Sequence, residues 1–131
     1  LNINFEVKSK KEKVMMKEND LLKRTFNFGI SCLKYLRKLE INPENNLIRF
    51  QLGKSCTSIG ANYEESQAGS SKADFINKVK IALREARESN YWLRILKELN
   101  EKNDETLDVL IKESQELKNI LAAIIIKSNN N

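Results

Sequence analysis

Residues 58–99 hold two long runs of apolar residues at helical spacing that meet at a Gly-Ser break, and the second run carries more apolar surface than one core can use. At 100° per residue, Phe75, Val79, Ala82, Leu83, Ala86, Leu93 and Leu96 share one arc, as the buried side of an amphipathic helix requires. A second arc holds Ile81, Trp92, Ile95 and Leu99. Exposing a tryptophan, a leucine and two isoleucines together makes an apolar patch of the kind that marks a contact surface, so the stripe predicts self-association.

The remaining chain follows the same period. With one Pro and four Gly there are too few turn signals for an all-β fold, and the abundance of Leu, Lys, Glu and Ile suits long helices, so the class is all-α. Asn19 or Asp20 is expected to cap helix 1, which runs to about residue 40 and buries Leu22, Thr25, Phe26, Gly29, Cys32, Leu33 and Leu36. Asn42 before Pro43 starts helix 2, with a core arc of Ile48, Leu52, Cys56, Ile59 and Tyr63. Its reverse arc is Gly53, Thr57, Gly60 and Ala61; small residues there predict another helix at close range, and Gly53, Thr57 and Gly60 join Ile81, Trp92, Ile95 and Leu99 as candidate oligomer interface.

Gly69, Ser70 and Ser71 end helix 2, and Ser71 with Asp74 resembles a capping box that opens helix 3. Helix 3 is expected to reach about residue 101, roughly 45 Å of helix. Asn103, Asp104 and Glu105 begin helix 4, whose stripe is Leu107, Leu110, Ile111, Leu117, Leu121, Ile124 and Ile125. Four amphipathic helices joined by short turns predict an antiparallel up-down-up-down four-helix bundle over residues 19–131. Residues 1–18 read as an N-terminal extension: Leu1, Ile3, Phe5 and Val7 alternate with polar residues ahead of a lysine cluster, as in a short strand or as in a mobile segment preceding a start at Met15 or Met16.

Several functions lose support from composition. The longest apolar run, residues 120–126, is far short of the roughly 20 residues that cross a bilayer, and the N-terminus lacks a secretory signal pattern, so a cytoplasmic protein without a membrane partner is expected. There is no His for base catalysis, and Cys32 and Cys56 lie on apolar arcs without metal-ligand spacing. Both thiols are expected to be reduced core residues. Glu64, Glu65, Glu85 and Glu88 make the one inviting carboxylate cluster, but the Glu-x-x-His motifs of a di-metal bundle are absent, so neither metal, cofactor nor enzymatic activity is expected. Pairing with Lys78, Arg84 or Arg87 accounts for these acids.

The net charge of +5 is concentrated in the first third of the chain, where ten Lys and Arg face four acids. Lys34, Arg37 and Lys38 lie on the polar side of helix 1 near its C-terminus. On helix 3, Lys80, Arg84, Arg87 and Arg94 fall within about 80° of one another, with Tyr91 among them and Glu98 interrupting the strip. Arg forks take phosphate oxygens in bidentate fashion, so these seven cations are the candidate nucleic-acid contacts. A solvated charged helix face is the plain alternative.

The run SIGANYEESQAGSSKADFINKVKIALREARESNYWLRILKEL at residues 58–99 resembles the four-helix bundle protein family first noticed as reading frames in intervening sequences of bacterial 23S ribosomal RNA genes. Ser58-Ile59, Asn62 and Glu65, Asp74-Phe75, and the series Ala82, Glu85, Ala86, Glu88, Tyr91-Trp92-Leu93 carry the likeness, and Gln51-Leu52 also fits. The resemblance implies a homopentameric ring of antiparallel bundles. A related branch, the accessory protein of diversity-generating retroelements, is a basic pentamer that binds nucleic acid beside a reverse transcriptase, which would assign the strip to RNA or DNA and a reverse transcriptase or ribonucleoprotein as partner. Residues 39–131, with 13 basic against 14 acidic residues, are less basic than that branch. A protein-interaction scaffold without nucleic acid is the other expectation.

Overall fold

The computed structural model describes the backbone of residues 10–130 and the side chains of residues 20–130. Within them are four helices and no strand: α1 (Lys10–Arg37), α2 (Pro43–Gln67), α3 (Lys72–Leu99) and α4 (Glu105–Asn129). Each helix packs on the next and α4 closes back on α1, while α1 and α3 stand diagonally opposite with their backbones apart. Gly29 faces Cys56 and Thr57, Gly53 faces Leu33 and Leu36, and Gly60 faces Thr25, so numbering falls along α2 as it rises along α1. Arg24 with Glu113 and Tyr35 with Asp104 set the same sense for α1 and α4, and Asn90 with Ser114 and Lys97 with Asp108 set it for α3 and α4.

Side chains cap three of the helices as their sequences lead one to expect. Asn42 Oδ1 accepts from the Asn45 amide at 2.7 Å ahead of Pro43, and Asp104 Oδ1 accepts from the Leu107 amide at 3.1 Å. Ser71 Oγ accepts from the Asp74 amide, but Asp74 does not complete the box; its carboxylate accepts instead from Ser70 Oγ. Helix 1 differs from its expected start. It begins at Lys10, because the Lys, Glu and Met residues before Asn19 favour helix and nothing there breaks it. The alternating segment of residues 1–7 lies outside the described residues.

One apolar core runs between the four helices. Every residue expected in the α2 arc is buried, as are Val79, Ala82, Leu83, Ala86, Leu93 and Leu96 of α3 and Leu107, Leu110, Leu117 and Leu121 of α4. Helix 1 is the exception: it buries Leu21, Thr25, Phe28, Cys32 and Leu36, leaving Phe26 59% and Leu33 40% exposed. The real arc is turned about 50° from the expected one at 100° per residue. The physical reason is α4, which draws Phe28 inward and takes Arg24 and Tyr35 on the adjoining side through bonds of 2.6 and 2.7 Å.

The small residues of α2 meet α1 of the same chain. A Cβ on Gly60 would lie 3.3 Å from the Thr25 carbonyl, and one on Gly29 would lie 3.2 Å from the Cys56 carbonyl. These are backbone atoms that cannot swing away, so a larger residue must push the helices apart. Gly29→Val is expected to destabilise the fold by about 1–3 kcal/mol through overpacking, read as a lower urea midpoint; an unchanged midpoint would mean that the two helices are not held this closely.

Tyr35 and Asp104 are coupled electrostatically. The Tyr35 hydroxyl, with help from the Leu107 and Thr106 amides, holds the Asp104 carboxyl below its ordinary value, and burial with the Asp104 bond pushes the Tyr35 phenol up. The folded state thus favours the Asp104 carboxylate. Its contribution is complete above the unfolded carboxyl range, about 3.9, and is lost as pH falls through the lower folded value. The Tyr35 contribution is complete below the ordinary phenol range and fades as pH rises through its raised value. Thermal melts of Tyr35→Phe should therefore show a shallower loss of stability at both acid and alkaline extremes than the unaltered protein.

Candidate nucleic-acid interface

The outward side of α3 is fixed by what its inward side holds. Ser89 Oγ donates to Ser55 Oγ of α2 at 3.0 Å, and the next residue, Asn90, donates through Nδ2 to Ser114 Oγ of α4 at 2.9 Å. All four are buried. Buried polar groups demand partners, so these adjacent bonds select one rotational setting of the helix. Sequence reading passed over Ser89, Asn90 and Ser114; a polar residue on an otherwise apolar arc of each helix was the available signal.

In that setting Lys80, Arg84, Arg87 and Arg94 are exposed together with Tyr91. Arg84 reaches Glu85 only at 4.0 Å with 71% of its side chain exposed, a pair worth little in water. Neither Lys80 nor Arg87 makes an ion pair or hydrogen bond among the described residues. Arg94 is held: its Nε donates to Asn90 Oδ1 at 2.9 Å, and its guanidinium carbon lies 5.9 Å from the centre of the Tyr91 ring. The buried network thus reaches the surface and orients one arginine. Glu98 is exposed at the C-terminal end of the strip.

The α1 cations are elsewhere. Lys34, Arg37 and Lys38 are exposed on α1, which stands diagonally across the fold from α3. Lys34 and Lys38 line a cleft of about 820 Å³ at one end of the fold, where Glu40, Glu44, Glu101 and Asp104 offset them and Lys102. The chain therefore presents two separate cationic areas, and the α3 strip is the less compensated of the two.

Of the proposed interface residues, Ile81, Trp92 and Ile95 are half-buried, with Trp92 and Ile95 packed against the core, and Leu99 is 48% exposed. The Trp92 ring meets Tyr91 edge-on at 5.2 Å, and its Nε1 is buried with no hydrogen-bond partner among the described residues. Gly60 is buried against α1, Gly53 is half-buried and Thr57 is exposed. The larger uncovered apolar surface lies on α1 and α2, at Phe26, Ile30, Leu33, Leu47 and Phe50.

Burial, first, and then Glu88 raise the Glu85 carboxyl. No grouping of three or more His, Cys, Asp or Glu able to hold a metal exists among the described residues. Cys32 and Cys56 are free and buried; the hydrogen bond with Cys56 and burial push the Cys32 thiol far up, which keeps it protonated. No described helix is long and apolar enough to cross a membrane.

Four helices around one core, with a cationic ridge on the third, define a small all-α protein of the four-helix type. The chain belongs to the 23S rRNA-intervening sequence protein family, whose model matches residues 17–123. It is similar, at 35% identity and a TM-score of 0.72, to the crystal structure of a protein of unknown function from the S23 ribosomal protein family of Bacteroides thetaiotaomicron, over 83% of this chain and 97% of that one. No curated protein sequence matches.

Removing the Asn90 amide isolates Arg94 from the core. Asn90→Ala is expected to cost about 1–2 kcal/mol, since it withdraws a buried partner from Ser114, and to free the Arg94 side chain. Urea denaturation checks the first effect and broadening of the Arg94 Nε–H NMR signal the second; a sharp, unshifted signal would refute the coupling.

Proposed function

We propose that this protein is a non-enzymatic homo-oligomer of antiparallel four-helix bundles, a pentameric ring by its family resemblance, that binds RNA or a ribonucleoprotein through phosphate contacts on α3. One observation carries the RNA-binding role: Lys80, Arg84, Arg87 and Arg94 are exposed together on one ridge with a single weak carboxylate contact at Arg84. Uncompensated charge repels itself and is relieved by a polyanion, with release of counterions. Lys34, Arg37 and Lys38 supply further phosphate contacts, from a neighbouring copy where one bundle cannot offer both areas at once.

Two features support assembly. Phe26, Ile30, Leu33 and Phe50 leave a larger apolar area uncovered than a solitary small protein favours, and the Trp92 indole N–H lacks an acceptor among the described residues. A second copy answers both, its apolar side chains covering the first and a carbonyl or carboxylate accepting from the second. A ring with an odd number of subunits needs two different surfaces on each copy, and the α1–α2 face and the Ile81, Trp92, Ile95 and Leu99 stripe are two such surfaces.

Two measurements test this. Double replacement of Arg84 and Arg87 by Glu should leave the mass from light scattering unchanged, weaken RNA binding and flatten its dependence on salt; a salt-independent affinity would refute phosphate-led binding. Trp92→Glu should give a smaller species, because an unpaired charge in a desolvated seam costs several kcal/mol. An unchanged mass would remove this stripe from the interface.

A further inference from the structure

We propose that the α3 ridge takes unpaired rather than duplex nucleic acid, with a base stacking on Tyr91; this rests on the RNA-binding role proposed above and specifies its ligand. Tyr91 sits at the centre of the ridge, with Arg87 one turn before it and Arg94 one turn after. The residue is 48% exposed. The hydroxyl of Tyr35 donates to Asp104 and Tyr63 is buried in the core, whereas the Tyr91 hydroxyl has no hydrogen bond among the described residues. The polar end of this ring therefore has no partner among the described residues, although the ring stands among arginines.

The ring is also ordered in advance. Trp92 supports it edge-on with the two planes at 79°, and Trp92 itself packs against the core. On the other side Arg94 is drawn toward the ring and anchored to buried Asn90. A ligand thus meets an aromatic face and a guanidinium whose freedom is already reduced, which lowers the entropic cost of binding. Arg planes stack on bases as aromatic rings do, so Tyr91 and Arg94 together form a platform flanked by the phosphate-seeking Arg87 and Arg84.

Such a platform discriminates by strandedness. In an RNA duplex the base faces are stacked on one another and the deep major groove excludes side chains, so an exposed ring on a convex helix gains nothing beyond what the cations already give. An unpaired base offers a free π-face, and stacking is tolerant of sequence. The predicted preference is for single-stranded loops or ends with little base specificity. Glu98, one turn beyond Arg94, bounds the platform on that side by repelling phosphate.

The test measures fluorescence anisotropy of the full chain with labelled oligouridylate and with a duplex RNA of equal length. Tyr91→Ala should weaken single-strand binding about 5- to 150-fold, leave duplex binding within about twofold and keep the salt slope, since no phosphate contact is lost. Tyr91→Phe should bind as the unaltered protein does. Arg87→Glu should weaken both ligands alike and reduce the slope. The single tryptophan gives a second readout: emission from Trp92, in ring contact with Tyr91, should change with oligouridylate and not with duplex. Equal losses on both ligands with Tyr91→Ala, or none, would overturn the stacking role while leaving phosphate binding intact. Failure of the unaltered protein to bind either ligand at low salt would overturn both.

Discussion

Two hydrogen bonds from adjacent residues of α3, Ser89 to Ser55 on one flank and Asn90 to Ser114 on the other, fix the rotation of the helix on which the surface depends. Apolar packing alone tolerates a helix turned by a fraction of a residue, because Leu and Ile fill space in several orientations. A buried hydroxyl or amide does not, since losing its partner in a low-dielectric interior costs more than a slight repacking gains. With α3 held at this angle, the arc centred between Arg84 and Arg94 faces water.

The same network joins the interior to the cationic ridge. Ser114 Oγ donates to the Ile111 carbonyl and accepts from Asn90, which in turn accepts from Arg94. A surface arginine ordinarily spends its side-chain freedom when it binds an anion. Arg94 has surrendered part of that freedom in folding, and Tyr91, between Arg94 and Trp92, has done the same.

Most of the fold was legible in the sequence because α2, α3 and α4 each carry a core arc at helical spacing and recognisable caps at Asn42, Ser71 and Asp104. Helix 1 was harder. Its apolar residues cover nearly half the wheel, and periodicity alone pointed inward with Phe26 where the fold buries Phe28; the facing rests on tertiary partners, the α4 residues Glu113 and Asp104, that no local pattern reveals. Gly53 and Gly60 announced a close neighbour but not its identity, which proved to be α1 of the same chain. At the candidate site the exposed cations were readable from helical spacing, whereas the hold on Arg94 was not, because it depends on a hydrogen bond network that spans three helices.

The direct test of the central claim is photocrosslinking of the protein to an RNA carrying 4-thiouridine, followed by tryptic mass spectrometry. Cleavage after Arg87 and Arg94 releases residues 88–94 as one peptide containing Tyr91. That peptide should carry the dominant nucleotide adduct, with the yield falling as salt is raised. Adducts confined to peptides of α1 or α4, with residues 88–94 unmodified, would contradict the assignment of the α3 ridge as the nucleic-acid surface.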